Sequence, residues 1–158
     1  MAELFAIQNI DDDVLQAECE RVFVLLRRLL PGIEIHPVGS TAVPGVVGKL
    51  DIDLLVRVPA SQFETTRQTL DAHFARNPDQ LSTDNFQGYH VESPFDVAIQ
   101  LTIAESPHDN FLAFLSALRS DPAIVDAYNA LKRQWNGRPM EEYRQAKHDF
   151  IQAVLSRT

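Results

Sequence analysis

The chain has a single cysteine, Cys19, so no disulfide can form within it, and that usage suits a reducing cytoplasm. Cys19 falls on an apolar stripe with Leu15, Val22, Leu26 and Leu29 and reads as a small core residue, not a nucleophile. Long hydrophobic runs are missing: nothing approaches the ~20 apolar residues of a membrane span. The segment Met1–Phe5 lacks the basic-then-apolar layout of a secretory leader. Positive charge is scarce, with 14 Lys and Arg against 22 Asp and Glu and a net charge of −8. That balance disfavours broad contact with extended nucleic acid, which needs a basic surface. The five histidines (His36, His73, His90, His108 and His148) show no metal-ligand spacing and read as surface or packing residues, which argues against zinc. There is no internal repeat, linker, Ser-His-Asp signature, dinucleotide fingerprint or complete phosphate loop. Gly45 to Lys49 lacks the glycine spacing of such a loop, and Leu50 follows the lysine.

At 158 residues, one domain spanning 1–158 is the natural reading, and the length suffices to bury a core. Residues 11–30 read as an amphipathic helix, with acids at its start, Arg27 and Arg28 near its end, and Pro31-Gly32 as the stop. Ile33 to Val38 alternates as a strand, and Leu50 to Val58 reads as a second. Ser61 and Glu64 have capping-box spacing, which predicts a helix over 60–75 with Phe63, Leu70 and Phe74 on one side. Asn77-Pro78 and Gln87-Gly88 read as turns in an ill-patterned stretch, 77–92, with room for a short strand near either. Phe95 to Ile103 is a strong strand. One face holds Phe95, Val97, Ile99, Leu101 and Ile103; the other holds Asp96, Ala98, Gln100 and Thr102. Ser106-Pro107 and Asp121-Pro122 each place a capping side chain before a proline, predicting helices over 107–120 and 122–135, with Gly137 ending the second. A last helix covers 139–156. The order predicts α+β architecture: a mixed sheet with flanking helices over 1–105, then helices over 106–158.

Against that background one stretch carries chemistry. Gly39-Ser40-Thr41-Ala42-Val43-Pro44-Gly45 leaves the first strand, and Lys49 precedes a strand bearing Asp51-x-Asp53. Strand alternation aims both aspartates the same way, ~7 Å apart at Cα. Two close carboxylates repel unless one is protonated or a cation lies between them. Mg²⁺ or Mn²⁺ takes such oxygen ligands while keeping places for substrate phosphates. A Gly-Ser turn offers backbone N–H groups and a hydroxyl to a phosphate. The pair therefore points to metal-assisted phosphoryl or nucleotidyl transfer. The bland alternatives are a solvated strand face for the aspartates, a plain strand-ending turn for Gly39-Ser40, and loop shaping for Thr41, Val43 and Pro44. Lys132 and Lys147 stand four residues after Tyr128 and Tyr143, on apolar helix stripes. Each either snorkels from the core edge or faces a cleft, where it could reach a triphosphate. Lys49 reads as a loop residue able to contact phosphate.

The apolar-Gly-Ser pattern, ten intervening residues and Asp-x-Asp on an apolar strand resembles the nucleotidyltransferase superfamily typified by DNA polymerase beta. Within it, Val38 to Lys49 resembles the GrpB family, as do Asp121-Pro122, Tyr128, Leu131-Lys132, Tyr143, Ala146-Lys147 and Phe150-Ile151. The resemblance spans roughly Ile33 to Ile151 in outline and implies a mixed-sheet nucleotidyltransferase-like fold. It gives no substrate. Two departures matter. Family members often have an apolar residue at the position of Asp51, and here the acid pair is complete. Members tend to carry His-x-His where this chain has Gln100-Leu101-Thr102. Active members of the superfamily use a third carboxylate on a neighbouring strand. Asp96 fills that place if the register permits, whereas alignment with the Glu-Ile-Gln run of the RelA/SpoT synthetases puts Ala98 there.

Two readings follow. In the first, Mg²⁺ or Mn²⁺ held by Asp51, Asp53 and Asp96 supports nucleotidyl transfer from a nucleoside triphosphate to a small or localised acceptor hydroxyl. Gly39, Ser40, Thr41, Lys49, Lys132 and Lys147 then bind the nucleotide. In the second, the fold is a non-catalytic module for a nucleotide or protein partner; fusion of GrpB-like domains to dephospho-CoA kinase suggests a tie to coenzyme A metabolism. Proximity of Asp96 to the pair favours the first reading; a distant or solvent-facing Asp96 favours the second.

Overall fold

The computed structural model describes residues 3–5, 12–38, 51–78, 80, 82–107 and 109–156. Five strands form one sheet: β1 (Glu34–Val38), β2 (Asp51–Val58), β3 (Ala75–Arg76), β4 (Phe86–Val91) and β5 (Asp96–Ile103), in the order β1-β2-β5-β4-β3. β2 and β5 run parallel at the centre, and every other neighbouring pair is antiparallel. The helices are α1 (Asp12–Leu29), α2 (Phe63–His73), α3 (Phe111–Ser120), α4 (Pro122–Trp135) and α5 (Met140–Leu155). This is the mixed α+β architecture that the sequence predicts. No helix among the described residues is long and apolar enough to cross a membrane.

The two faces of the sheet bury different things. Ile52, Leu54, Val56 and Val58 of β2, with Val97, Ile99 and Leu101 of β5, join Leu15, Cys19, Val22 and Leu26 of α1 and Leu70 of α2 in the main core. The opposite face carries Asp51, Asp53, Leu55 and Arg57, since alternate strand residues share a face. There Val38 and Leu55 pack with Phe114, Leu115 and Leu118 of α3, Tyr128 of α4 and Val154 of α5. The three C-terminal helices thus lie over the acid-bearing face.

Three local expectations differ from the structure. The Ser61/Glu64 capping box does not form: a 3₁₀ turn over Ala60–Gln62, closed by Gln62 N–H donating to the Pro59 carbonyl at 2.9 Å, delays α2 to Phe63. Glu64 pairs with Arg67 instead. Ser106 does not cap α3, which begins at Phe111. Asp109 is held by Arg57 at 2.8 Å and accepts the Glu105 N–H at 2.6 Å, so residues 104–107 run as turns and Glu105 takes a left-handed φ of 65°. By contrast, Asp121 caps α4 as expected, accepting the Ala123 N–H at 3.0 Å.

The third difference is Gln87-Gly88, which lies inside β4 and makes no turn. Its glycine serves close approach: a Cβ at Gly88 would stand 1.8 Å from Gln80 Oε1 and 2.9 Å from Gln80 Cβ. Gly88→Ala should therefore cost about 1–2 kcal/mol through displacement of the Gln80 side chain. Chemical denaturation of Gly88→Ala, Gln80→Ala and the double variant checks this; the double variant should recover most of the loss.

Candidate functional site

The register decides which acids meet. In the parallel β2–β5 ladder Asp51 lies opposite Asp96, and Asp53 lies opposite Ala98. Partners in adjacent strands share a face about 4.8 Å apart, so Asp51, Asp53 and Asp96 project from one side of the sheet. Asp96 is exposed, while Asp51 and Asp53 are half-buried. On the outer side of β2, Val38 stands opposite Asp53, so the strand that leads into Gly39-Ser40 ends beside this carboxylate. Gly39, Ser40, Thr41 and Lys49 themselves lie outside the described residues.

Asp53 is the most perturbed of the acids. Burial, then the negative charge of Asp51, push its carboxyl up to about 7, with Asp96 adding to the rise. Lys147 and a hydrogen bond from Gln100 Nε2 at 3.3 Å act in the opposite direction. Gln100 is buried, and its Oε1 has no hydrogen-bond partner among the described residues. The chain thus holds carboxylates close together on a half-buried face, where their repulsion is strong.

Positive charge faces them from the helices. Lys132 is only 2% exposed, and its ammonium rests over the Tyr128 ring, 4.3 Å from the centroid. Such a cation–π contact offsets part of the cost of burial. Burial, then the charge of Lys147, bring its amine down to about 7, while Asp51 and Asp53 pull the other way. Tyr128 and Tyr143 are hydrogen-bonded through their hydroxyls, and burial raises both phenols. The Tyr128 ring is fixed by Phe150, stacked at 5.5 Å, and by the edge of Phe114 at 5.3 Å. Of the two readings for the helix lysines, Lys132 is buried within the electrostatic reach of the acids, not snorkelled to water. Lys147 is half-buried and acts on Asp53.

From sequence, Tyr128 and Tyr143 read as core residues of apolar helix stripes, and no local pattern joins Gln100 to Asp53. The repeated Tyr-to-Lys spacing of four was the available signal for the tyrosines: it puts each lysine one turn beyond a phenol on the same helix face. Among the described residues no three His, Cys, Asp or Glu side chains are grouped as a metal cage. A cavity of about 440 Å³ between β1 and α3, lined by His36, Leu112, Leu115 and Arg119 among others, includes none of the three aspartates.

Residues 9–157 match the family model described as GrpB protein. The chain belongs to the GrpB family. It is 34% identical over 148 residues to a UPF0157 protein of Vibrio cholerae, covering 90% of this chain and 79% of the relative. A UPF0157 protein of Halalkalibacterium halodurans is 30% identical over 133 residues, covering 79% and 67%. Among solved structures, the conserved protein GrpB from Enterococcus faecalis superposes with a TM-score of 0.71 at 17% identity, covering 96% of this chain and 98% of that one. The RNA terminal uridylyl transferase Cid1 superposes with a TM-score of 0.51 at 16% identity, over 80% of this chain and 41% of that one. The GrpB chain described here thus has a nucleotidyltransferase-like fold, and its Asp51, Asp53 and Asp96 stand on one face of that fold's central strands.

Proposed function

We propose that this GrpB protein is a metal-dependent nucleotidyltransferase acting on a nucleoside triphosphate and a small or localised acceptor hydroxyl. The observation that carries the reading is the pairing of two charged walls. Asp51, Asp53 and Asp96 share one sheet face; Lys147 of the covering helices acts electrostatically on Asp53, and Lys132 on Asp51 and Asp53. A phosphate chain with a divalent cation is the ligand that satisfies both walls at once. The fit is that of an ion delivered with its substrate: Mg²⁺ commonly uses one or two carboxylates plus phosphate oxygens, and Asp51 and Asp53 are two carboxylates crowded on one half-buried face. Mg²⁺ or Mn²⁺ at Asp51 and Asp53, with Asp96 beside them, would neutralise charge on the transferring phosphate and leaving pyrophosphate.

The chain's own groups do the rest. Gly39, Ser40, Thr41 and Lys49 would hold the β- and γ-phosphates where the first strand ends. Lys132 and Lys147 would orient the triphosphate from the helical side, with Lys132 kept in place by the Tyr128 ring. The acceptor oxygen forms a bond to the α-phosphorus as the bond to the β-phosphate oxygen breaks, and the hydroxyl proton passes to Asp53. Gln100 keeps that carboxylate in orientation through its 3.3 Å hydrogen bond. The net charge of −8 favours a compact acceptor over extended nucleic acid.

One observation favours a second reading, a non-catalytic nucleotide- or protein-binding module: the residue directly opposite Asp53 is Ala98, not an acid. Melting temperatures with each nucleoside triphosphate, with and without Mg²⁺ or Mn²⁺, separate the two. Ligand at 100 times its Kd adds about 2.7 kcal/mol, several degrees at ~2–4 °C per kcal/mol. The catalytic reading requires a shift that depends on metal and shrinks in Asp96→Asn. A nucleotide shift indifferent to metal and to Asp96 belongs to the binding module.

A further inference from the structure

We propose that residues 3–5 form a structural strap of the nucleotide site, in which Phe5 is a positioning residue acting through Tyr143. The Phe5 ring is 2% exposed and stacks face to face on Tyr143, with centroids 3.8 Å apart and planes 12° from parallel. Its backbone is fixed at both ends. Phe5 N–H donates to the Arg138 carbonyl at 2.8 Å, and Gly137 N–H donates to the Phe5 carbonyl at 2.7 Å. Two residues earlier, Met140 N–H donates to the Glu3 carbonyl at 2.8 Å. Leu4 bridges Pro139, outward and exposed. The strap therefore grips the α4–α5 turn, where Gly137 takes the left-handed φ of +83°, and seats its one large ring on the first turn of α5.

From that seat a continuous set of contacts reaches the charged walls. Tyr143 hydrogen-bonds to Tyr128, and the Tyr128 ring carries the Lys132 ammonium at 4.3 Å. Lys147 lies one helical turn beyond Tyr143 on the same face of α5. Tyr143 thus has the Phe5 ring on one side and the site's phenol on the other. Losing the Phe5 ring would leave a void beside Tyr143, and side chains bordering a void relax toward it. The Tyr143 hydroxyl would move away from Tyr128, and the ring beneath Lys132 would keep its Phe150 and Phe114 contacts but lose the hydrogen bond that sets its tilt. The family model matches from residue 9 onward, so this support comes from chain outside the matched residues.

The strap also ties to a cluster that provides a control. Phe5, Met140 and Tyr143 pack together with Trp135 against them. Trp135→Leu removes apolar contact from the same cluster while keeping every member of the Phe5–Tyr143–Tyr128–Lys132 succession. A purely structural role for Phe5 would make the two substitutions alike, whereas a positioning role separates them.

The test uses NMR of the full chain with lysine-selective labelling. In the unaltered protein the Lys132 methylene protons next to the ammonium, which lies 4.3 Å from the Tyr128 ring centroid, should resonate upfield of those of the other lysines. Phe5→Ala should abolish most of that displacement. Phe5→Leu keeps an apolar plug without the stack and guards against unfolding of the alanine variant; it should do the same in part. Trp135→Leu should leave the displacement in place. The second arm rests on the nucleotide reading: the Kd for the four common magnesium nucleoside triphosphates should rise roughly tenfold in both Phe5 variants and stay within about twofold in Trp135→Leu. A Lys132 resonance unchanged in folded Phe5→Ala or Phe5→Leu overturns the inference, as does an equal loss in Trp135→Leu. If the unaltered protein binds no nucleotide, the nucleotide reading fails while the Lys132 resonance still decides the role of the strap.

Discussion

Asp53→Asn should abolish nucleotidyl transfer and at the same time make the fold more stable above neutral pH. The first effect follows from removing a carboxylate that both binds the cation and receives the acceptor proton in the proposed reaction; a loss of roughly 10³-fold or more in turnover is the expected scale. The second effect follows from linkage. Asp53 titrates near 7 in the folded chain, against 3.8 for an ordinary aspartate. Between those values the folded state holds a proton that the unfolded state has released, so stability falls as pH rises through that window and is constant above it. At ~1.4 kcal/mol per unit the ceiling is ~4 kcal/mol; with Asp53 half-buried and attracted by Lys147, a gain on the order of 2 kcal/mol at pH 8 is the working figure. Asparagine carries no such cost. Denaturation at pH 4 and pH 8 should show the variant near wild type at the lower pH and more stable at the higher. A variant destabilised at both values would mean that Asp53 is a structural partner, not a strained functional acid.

Lys132→Met should weaken nucleotide binding by roughly tenfold to a hundredfold, the scale of a lost charge-assisted contact to phosphate, without weakening the fold at neutral pH. The amine is brought down to about 7 from 10.5. Between those values the unfolded state holds more protons, so the stability linked to Lys132 rises with pH across that window, and at pH 7 and below the buried charge is a cost. Methionine fills much of the same volume over the Tyr128 ring with no charge to desolvate. Titration of magnesium nucleotide by calorimetry, with melting curves at pH 6.5 and 9.5, measures both sides. Unimpaired affinity in Lys132→Met would remove the helical wall from the binding site.

These effects depend on features that were unequally legible in the sequence. Strand alternation alone put Asp51 and Asp53 on one face, and the apolar stripes of α1, β2 and β5 gave the main core directly, since each repeats its period over several residues. The place of Asp96 needed the register of two strands 45 residues apart in number, which no local pattern encodes; the β2–β5 ladder supplies it. The helices that start at 63 and 111 begin later than Ser61/Glu64 and Ser106 suggest because long-range or competing pairs intervene: Glu64 pairs with Arg67, and the Arg57–Asp109 pair holds the chain in turns after Ile103. Gln87-Gly88 read as a turn because glycine permits one. What it permits here is the approach of Gln80 to a strand interior, a tertiary fact. Tyr128 and Tyr143 satisfied the pattern of a core stripe as well as that of a site wall. Phe5 carried no signal at all, being one aromatic residue ahead of the first helix.

The central claim is that the face bearing Asp51, Asp53 and Asp96 takes up a divalent cation together with a nucleoside triphosphate. Paramagnetic broadening of backbone amide signals by substoichiometric Mn²⁺, recorded with and without each nucleotide, tests it most directly. Nucleotide-enhanced broadening is expected to centre on Asp51–Asp53 and Asp96–Ala98, to extend to Lys132 and Lys147 and to be abolished in Asp53→Asn, with α1 amides on the opposite face of the sheet spared. Broadening that is centred elsewhere, or that persists undiminished in Asp53→Asn, would contradict it.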